Sequence, residues 1–527
     1  MIPPFDPAQT QTTLFAGLLA AAARHGRDKV ILEDAEGVTL TYQKLVLASL
    51  VLGGRIAGDT KPGDNVAVLL PNSVGLVVTL FGLNAYRRVA AVLNFTSGKK
   101  NLTSALQTGR IGTVLTSRRF LDAAKLQDLA DALAATEWAP GHKVRVVALE
   151  DVRAGIGILD KLAGVVRAGL ARVLGRGSAE DASSPAVILF TSGTEGAPKG
   201  VVLTNANLMA NAQQMLDHMR EILGREQIVL NPLPIFHSFG LTAATLAPLL
   251  GGVKVVLYPS PLHYRQVAKL VERTKATVML ATDTFLSGYI RAGEPGQLAS
   301  LRFVIGGAER IKEQTREQWA RNGTEMLEGY GATECSPVLA CNQHGANRPG
   351  SVGRLLPGVE ARLEPVPGLA EGRRLYVRGP NVMAGYLLAG RPGVVVPPDG
   401  GWHDTGDIVT IEDGYVIIRG RAKRFAKLGG EMVSLAAIEG LVAGLWRDAQ
   451  HVVLNLPDPR KGEQLLLVTE KADASKDALL AHARKEGFPE LWVPKALLIV
   501  PAIPVLASGK IDLQATHELA SQARPQP

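Results

Sequence analysis

The sequence has little of what marks secreted, metal-rich or membrane-spanning proteins. Its 527 residues include only two cysteines, Cys335 and Cys341, which are too few for a disulfide framework and indicate a reducing compartment. The most apolar window, 74–86, is interrupted by Asn84 and is much shorter than the ~20 residues of a spanning helix. The stretch MIPPFDPAQTQ has no charged segment followed by an apolar one. We therefore expect no signal peptide and a cytoplasmic protein, either soluble or peripheral at the inner face of the cytoplasmic membrane.

Charge of either sign is not scarce, but cations exceed anions. The 57 Lys and Arg residues against 49 Asp and Glu residues give a net charge of +8. Such an excess favours nucleic acid, anionic lipid or an acidic protein as a partner. Because zinc-finger spacing and an aromatic RNA-binding signature are both missing, we expect no nucleic acid partner. The chain is too long to pack around a single hydrophobic core, so two or more domains are expected.

Short apolar runs alternate with helix-length segments in the first two thirds of the chain, which is typical of parallel α/β layers. The predicted strands there are 66–70, 113–115, 144–149, 186–189, 201–203, 253–257, 277–280 and 303–305. After Pro357 the runs become short and alternating, as in a small antiparallel or barrel-like unit. The predicted strands in this part are 361–363, 374–377, 408–411, 415–418, 452–456 and 465–469. Between these parts, RGRAKRFAK (419–427) has five cations in nine residues and is interpreted as a linker.

Residues 157–176 predict a basic amphipathic helix. Its large apolar residues recur at helical spacing, and they are Ile158, Leu159, Leu162, Val165, Val166, Leu170, Val173 and Leu174. Lys161, Arg167 and Arg172 lie on the other side, with Asp160 as the only acid. Such a helix either lies on an anionic membrane surface or packs as an ordinary surface helix, and the sequence leaves both open.

The stretch FTSGTEGAPKG (190–200) directly follows an apolar run. It is not a Walker A motif, because it lacks Gly-Lys-Ser/Thr at the required spacing. Its glycines nevertheless allow backbone N–H groups to converge on phosphate oxygens, while hydroxyls and a lysine add donors. The candidate phosphate-binding residues are Thr191, Ser192, Gly193, Thr194, Gly196 and Lys199. Taken alone, such a loop is equally compatible with a simple turn.

Six further motifs follow in order, and with them the chain resembles the adenylate-forming superfamily of acyl-CoA synthetases, luciferases and peptide-synthetase adenylation domains. They are LPIFHSFG (233–240), GGAER (306–310), EGYGATE (328–334), DTGD (404–407), GRAK (420–423) and SGK (508–510). The resemblance covers roughly residues 27–512 and implies an α/β adenylate-forming enzyme fold. Its parts would be a large N-terminal domain of α/β layers with a small β-barrel-like subdomain (1–419), a hinge (420–424) and a small mobile α+β domain (425–527).

Four longer stretches are similar to one branch, the acyl-acyl-carrier-protein synthetase half of a bacterial bifunctional protein. They are LNPLPIFHSFGLT, VVLYPSPLHYR, LEGYGATECSPV and GRAKRFAKLGGEMVSL. The other half of that protein is a 2-acylglycerophosphoethanolamine acyltransferase, which carries a His followed five residues later by Asp. None of the ten histidines here has that Asp, so we expect no transferase activity.

The resemblance implies ATP-dependent activation of a long-chain fatty acid to acyl-AMP, then transfer to the phosphopantetheine thiol of acyl carrier protein. A fatty acid:CoA ligase is the alternative, because it would use the same residues in the first step. A non-catalytic membrane-associated scaffold is a third possibility, although every expected catalytic position is filled.

The resemblance also assigns nucleotide contacts. Glu334 and Thr191 would hold Mg²⁺, for which oxygen ligands are suitable. Tyr330 would stack on adenine, Gly307, Ala308 and Glu309 would lie along the base, and Gly331 and Thr333 would complete the nucleotide site. The alternatives are a surface carboxylate for Glu334 and an ordinary strand-end turn for the others.

Asp407 is expected to accept both ribose hydroxyls, since a carboxylate has two acceptor oxygens. Arg421 would donate to the ribose or the α-phosphate. Lys510 would bridge the substrate carboxylate and the α-phosphate as a movable point charge. His237 would lie beside the acyl site, with a packed, hydrogen-bonded histidine as the alternative.

The hinge and the thiol passage complete the expectations. Lys423 occupies the hinge position, and Gly429 and Gly430 would line a passage for the phosphopantetheine arm. Lys427 would meet the arm's phosphate or an acidic carrier protein, unless these cations are simply solvated. One departure from the family pattern is Arg424, which stands where many members have an acid.

Overall fold

The computed structural model describes residues 5–174, 179–191, 198–367, 369, 371–428, 431–458, 462–506 and 510–523. The chain divides into two compact units. The first consists of Met1–Asn347, Leu355–Val359 and Arg378–His403. The second consists of Arg348–Arg354, Glu360–Val377 and Asp404–Pro527.

The helices of both units are α1 (Leu14–His25), α2 (Tyr42–Ala57), α3 (Val74–Ala85), α4 (Lys99–Thr108), α5 (Arg118–Ala124), α6 (Gln127–Ala134), α7 (Leu149–Ala154), α8 (Ile158–Leu174), α9 (Ala179–Ser183), α10 (Asn205–His218), α11 (Ala247–Gly251), α12 (Tyr264–Thr274), α13 (Asp283–Ala292), α14 (Glu313–Arg321), α15 (Leu435–Leu445), α16 (Lys476–Lys485) and α17 (Leu513–Gln522). A π-helix, Phe239–Leu246, leads directly into α11.

The strands of the first unit are β1 (Val30–Asp34), β2 (Thr39–Thr41), β3 (Asn65–Val68), β4 (Val89–Val92), β5 (Thr113–Thr116), β6 (Glu137–Ala139), β7 (His142–Lys143), β8 (Arg145–Ala148), β9 (Pro185–Thr191), β10 (Lys199–Thr204), β11 (Ile228–Asn231), β12 (Lys254–Leu257), β13 (Val278–Ala281), β14 (Phe303–Gly306), β15 (Glu325–Gly331) and β16 (Val338–Cys341), to which β20 and β21 below also belong.

The remaining strands are β17 (Arg354–Leu355), β18 (Glu360–Glu364), β19 (Arg373–Arg378), β20 (Gly385–Leu388), β21 (Arg391–Val396), β22 (His403–Glu412), β23 (Tyr415–Arg421), β24 (Phe425–Leu428), β25 (Glu431–Ser434), β26 (His451–Asp458), β27 (Gly462–Thr469) and β28 (Ala496–Ile499).

One sheet of the first unit has the strand order β16-β15-β14-β13-β11-β12-β1-β2. Its six central strands, β15 to β1 in that order, run parallel to their neighbours. All four residues of β13 and of β14 are buried. Continuous apolar runs of this kind are typical of parallel strands that are covered on both faces.

The other sheet of the first unit has the order β21-β20-β10-β9-β4-β3-β5-β8. Strands β8, β5, β3, β4 and β9 are parallel, whereas β10, β20 and β21 are antiparallel additions. Because successive strand residues point to opposite faces, the sheet supplies two separate cores. In β3, Val66 and Val68 enter one core and Ala67 enters the other.

The second unit contains a sheet with the order β18-β19-β22-β23-β17, the hairpin β24-β25 and a three-stranded sheet β26-β27-β28. The last of these carries apolar residues on both faces. Val453 and Leu467 belong to a core with α15, and Val452 and Leu466 belong to a core with α17. This unit therefore has its own hydrophobic interior.

These observations confirm the α/β fold class, and the predicted strands are observed with small changes at their ends. The segment 419–427 is more ordered than the linker interpretation implies. Arg419–Arg421 ends β23, Phe425–Leu428 forms β24, and only the 3₁₀ turn Ala422–Arg424 lies between them. The boundaries at 419 and 425 remain a prediction. Among the described residues, no helix has the length and apolarity needed to cross a membrane.

We predict that Gly53→Ala strongly destabilises the protein. A Cβ on Gly53 of α2 would lie 2.3 Å from the Gly82 carbonyl oxygen of α3, so the two helices would have to separate. Such overpacking typically lowers the free energy of unfolding by about 1–3 kcal/mol. Gly169→Ala in α8 is the matched control, because nothing lies within 4 Å of its added Cβ. Urea unfolding of both variants measures the difference, and equal stabilities would contradict the close packing of α2 on α3.

Candidate functional site

Three of the predicted motifs lie at or just after the ends of strands in one parallel set. The His237 segment follows β11, Gly307 follows β14, and Gly331 ends β15. Strands β11, β13, β14 and β15 are consecutive parallel neighbours. Since carboxyl ends of parallel strands meet at one edge of the sheet, these motifs meet there too, as ligand-binding loops of open α/β sheets do.

The glycine-rich stretch is the connection of an antiparallel hairpin. Thr191, the last residue of β9, is the register partner of Lys199, the first residue of β10. Lys199 is exposed and Thr191 is half-buried. The predicted phosphate ligands Ser192, Gly193, Thr194 and Gly196 lie outside the described residues.

Tyr386 of β20 connects this hairpin to Glu334. Its hydroxyl donates a hydrogen bond of 2.7 Å to Glu334 Oε1, and Lys199 Nζ lies 5.4 Å from the centroid of its ring. The Glu334 carbonyl also accepts from the backbone N–H of Met383 at 2.8 Å. The structure thus brings Thr191, Lys199 and Glu334 to one place.

Sequence reasoning missed Tyr386. It is separated from Glu334 by 52 positions and lies in no phosphate-binding pattern. The only local signal is an aromatic residue in a half-buried strand, which predicts packing but no partner.

The oxygen donors around Tyr386 fit a magnesium ion that is shared with phosphates. Glu334 is half-buried, and its Oε1 accepts the hydrogen bond from the Tyr386 hydroxyl. Among the described residues, no group of three or more His, Cys, Asp or Glu is placed to hold a metal ion. Mg²⁺ is usually held by one or two carboxylates together with substrate phosphates, so one carboxylate with the Thr191 hydroxyl suffices when phosphates are present.

The GGAER turn is held by carboxylates. Glu309 Oε2 accepts from both the backbone N–H and the hydroxyl of Thr284 at 3.0 Å, at the start of α13. In return, Asp283 Oδ1 accepts from the backbone N–H of Lys312 at 3.0 Å. Burial raises the pKa of the Asp283 carboxyl. Glu309 therefore has a positioning role that the sequence did not indicate, and its predicted place along the base stays a prediction.

The two residues before Glu309 have an unusual backbone or tight surroundings. Ala308 adopts φ +66°, in the left-handed region that a residue with a side chain rarely visits. A Cβ on Gly307 would lie 3.1 Å from the ring of Phe239, so a larger residue would displace that ring. The contacts of Glu309 and Lys312 after Ala308 hold the following residues against α13 and so support this conformation.

Tyr330 and Gly331 lie at the end of β15, as the motif requires. Tyr330 is 8% exposed, so its ring is already largely packed, and adenine stacking by Tyr330 stays a prediction. A Cβ on Gly331 would lie 2.1 Å from the Pro337 carbonyl oxygen. Close approach of the backbone therefore accounts for this glycine without a ligand.

Two buried asparagines fix the LPIFHSFG segment. Asn72 donates to the Leu233 carbonyl at 2.6 Å and accepts from the Ile235 N–H at 2.9 Å. Asn231 accepts from the Leu233 N–H at 2.9 Å and donates to the Gly240 carbonyl at 3.0 Å. Neither asparagine was singled out from the sequence, although Asn231 ends β11 and Asn72 comes four residues after β3.

His237 lies in this segment, two residues before the π-helix, and is half-buried. The neighbouring Ser238 hydroxyl lies 3.3 Å from Thr333 Oγ1. The His237 segment therefore adjoins the Glu334 turn. The role of His237 at an acyl site is untested by this geometry.

In the second unit, Asp407 and Arg421 are paired. They are register partners across β22 and β23, and Arg421 Nε donates to Asp407 Oδ1 at 3.1 Å. The Asp407 side chain is only 5% exposed, whereas that of Arg421 is 64% exposed. Gly406, inside β22, adopts φ +69°, in the left-handed region that favours glycine. Ribose binding by this pair stays a prediction.

The predicted hinge residue Lys423 lies exposed in the turn Ala422–Arg424. The next residue, Arg424, donates to Glu439 Oε1 at 2.6 Å and to the Val453 carbonyl at 3.0 Å. This departure from the family pattern thus binds α15 and β26 within the second unit. Gly429, Gly430 and the side chain of Lys427 lie outside the described part of the chain.

Lys510 lies at the second arm of a small hairpin. Its carbonyl accepts from the Leu506 N–H at 2.7 Å, and Val505 bridges to Ile511. Residues 507–509, which include the Ser and Gly of the SGK motif, are not described. The bridging role of Lys510 therefore stays a prediction.

Comparison with known proteins adds an independent finding. A family model described as AMP-binding enzyme matches residues 18–387. A feruloyl-CoA synthase of an Amycolatopsis species is 31% identical over 512 residues, covering 93% of this chain and 94% of the relative. A long-chain-fatty-acid–CoA ligase of Bacillus subtilis (strain 168) is 27% identical over 503 residues, covering 90% and 89%. The crystal structure of ATP-bound MatB from Rhodopseudomonas palustris covers 96% of this chain and 98% of that one with a TM-score of 0.79. At 24% identity this last likeness concerns the fold.

We predict that Tyr386→Phe weakens the Mg²⁺·ATP-dependent step without unfolding the protein. Loss of one hydrogen bond to a charged group corresponds to about 1.5–3 kcal/mol, or roughly 10- to 100-fold in kcat/KM. ATP–pyrophosphate exchange at varied Mg²⁺ concentrations measures it. Tyr86→Phe is the control, because its hydroxyl donates to the Leu50 carbonyl between α2 and α3. An exchange rate in Tyr386→Phe equal to that of the control would contradict the role of this contact.

Proposed function

The chain belongs to the AMP-binding enzyme family, and we propose that it activates a long-chain fatty acid as acyl-AMP and transfers the acyl group to coenzyme A. It is an AMP-forming acid–thiol ligase that uses ATP with Mg²⁺. The observation that carries the proposal is the cluster of Thr191, Lys199 and Glu334 around Tyr386.

The chemistry begins with a poor acyl donor. A fatty carboxylate cannot expel hydroxide, so its oxygen attacks the α-phosphorus of ATP and pyrophosphate leaves. The thiol sulfur then attacks the acyl carbon, and AMP leaves with the former carboxylate oxygen. The protein must therefore gather anionic groups in line and offset the charge that develops on them.

Named residues supply these needs in the proposal. Glu334, oriented by Tyr386, and Thr191 would hold Mg²⁺, which neutralises charge on phosphate oxygens when bound. Lys199 would face the pyrophosphate. Arg421 would donate hydrogen bonds to the ribose or the α-phosphate. The Asp407 carboxylate would accept hydrogen bonds from the ribose hydroxyls.

The remaining assignments concern the base and the substrates. Tyr330, Gly307 and Ala308 would line the adenine, and His237 would adjoin the acyl chain. Lys510 would meet the carboxylate and α-phosphate together. Lys423 would be the hinge residue at which the small domain moves between the two half-reactions. The phosphopantetheine arm that carries the thiol would pass Gly429 and Gly430.

Coenzyme A is the better-supported acceptor. The B. subtilis relative is named as a long-chain-fatty-acid–CoA ligase. In addition, three cations of 419–427 that could attract an acidic carrier protein are paired within the second unit. Arg419 pairs with Glu371 and Glu412, Arg421 with Asp407, and Arg424 with Glu439. Paired cations contribute less to steering an anionic partner.

Acyl carrier protein is the second candidate, because four stretches of the sequence resemble an acyl-carrier-protein synthetase. We predict that radiolabelled palmitate, ATP and Mg²⁺ give acyl-CoA with CoA at a kcat/KM at least about tenfold above that with holo-acyl carrier protein, a difference of ~1.4 kcal/mol. Product with the carrier protein alone would overturn the choice of acceptor. Product with ferulate but with no fatty acid would overturn the substrate class, and absence of pyrophosphate release with every acid would indicate a scaffold.

We predict that Lys510→Ala separates the two half-reactions. Loss of the positioned ammonium removes charge stabilisation at the α-phosphate, so acyl-AMP formation should fall by about 10²-fold or more. Thiolysis of supplied acyl-AMP should remain within a few-fold of wild type. Lys476→Ala, which removes an exposed lysine at the start of α16, is the control. Equal losses in both half-reactions would contradict a lysine that acts in adenylation alone.

A further inference from the structure

Helix α8 is oriented with its large apolar residues towards solvent. Six of them are more than half exposed, and these are Ile158 (77%), Leu159 (81%), Leu162 (57%), Val165 (56%), Val166 (60%) and Leu170 (52%). Elsewhere in the described chain, large exposed apolar residues occur singly or in pairs along an element. A contiguous apolar face of this kind marks a contact with a partner or a lipid surface.

The opposite face of α8 accounts for this orientation. Gly164 and Ala168 are buried, and a Cβ on Gly164 would lie 2.5 Å from Val51 Cγ2 of α2. Arg167 Nη1 donates to the Tyr86 hydroxyl at 2.7 Å, and its guanidinium carbon lies 5.3 Å from the centre of that ring. Small residues thus let α8 lie close against α2, and rotation of the leucines inwards would require α2 and α8 to separate.

The exposed face has a defined width and basic flanks. On a helical projection with about 100° per residue, the six apolar side chains occupy an arc of about 140°. Val165 and Leu170 are the two borders of this arc. Exposed Lys161 lies about 40° beyond one border and Arg167 about 60° beyond the other. The one acid, Asp160, accepts from the Gly157 N–H at 2.8 Å at the start of the helix. An apolar arc with a cation on each flank is the pattern of helices that lie in a membrane interface.

We propose that residues 158–170 of α8 form a docking face for an anionic lipid bilayer. The apolar arc enters the boundary between headgroups and acyl chains, while Lys161 meets anionic headgroups and Arg167, held against Tyr86, adds positive charge at the other border. A second copy of the chain fits less well, because both flanks are basic and pairing across this face would bring cations together. The proposal is independent of the acceptor thiol and of the acyl specificity.

The helix is suited to a shallow position. It neither spans a bilayer nor carries its apolar residues all round, so the rest of the first unit stays outside the lipid. Long-chain acids partition strongly into bilayers, because each methylene group that leaves water favours the transfer. A protein docked in this way would remain at the bilayer surface, where such acids accumulate.

Flotation with vesicles tests the docking face in the full-length protein. Wild type should float with vesicles of phosphatidylglycerol and phosphatidylcholine, and less with phosphatidylcholine alone or at high salt. The triple variant Leu159→Gln, Leu162→Gln and Val166→Gln should lower the partition coefficient by about tenfold or more, because three anchors lose apolar contact. Its circular dichroism and melting temperature should match those of wild type, since all three side chains are exposed.

The matched control is Val38→Gln, Leu262→Gln and Val394→Gln, which removes three exposed apolar residues from other elements and should float as wild type does. Lys161→Glu should reduce flotation with anionic vesicles specifically. Equal flotation of the α8 triple variant and wild type would overturn the proposal, and so would absence of wild-type flotation. A dimer in ultracentrifugation that the α8 triple variant abolishes, without lipid binding, would assign the face to a second copy.

Discussion

The hydrogen bond from the Tyr386 hydroxyl to Glu334 is the contact on which the proposed chemistry depends most. It joins an antiparallel strand of one sheet to the turn at the end of β15 in the other, so the first unit must be assembled before the carboxylate is oriented. Lys199 lies beside the same ring, opposite Thr191 in the hairpin. This orientation of charged groups before substrates bind matters, because groups already in position need no reorganisation when the anionic substrates react.

The loops around this contact are stabilised by polar side chains that bind backbone groups. Asn72 and Asn231 satisfy the segment before His237, and Glu309 satisfies the start of α13. Unpaired buried N–H and C=O groups would be costly, so each of these contacts restricts its loop to one conformation. The candidate segments before His237 and after β14 are thus fixed by the surrounding scaffold, whereas α8 uses small residues to expose the large ones.

Much of the fold followed from local patterns. Apolar runs identified most parallel strands, but β1, β4, β11, β15 and β28 were missed. Each has only four to seven residues, which is too few to show a clear period. The glycine-rich loop singled out Lys199 and the family resemblance singled out Glu334, Asp407 and Arg421 as candidates, because each lies in a short motif. Tyr386, Asn72 and Thr284 were missed because their partners are distant in sequence, and contacts of that kind have no signature in one sequence.

The sequence by itself determined the α/β class, the order of the motifs and the amphipathic character of α8, since these depend on residues within a few turns of one another. Only the tertiary structure decided that Tyr386 orients Glu334, that Arg424 binds Glu439, and that the apolar side of α8 faces outwards. The physical reason is common to all three. A periodic pattern defines the faces of an element, but the neighbours against which it packs decide which face is buried and which side chains meet.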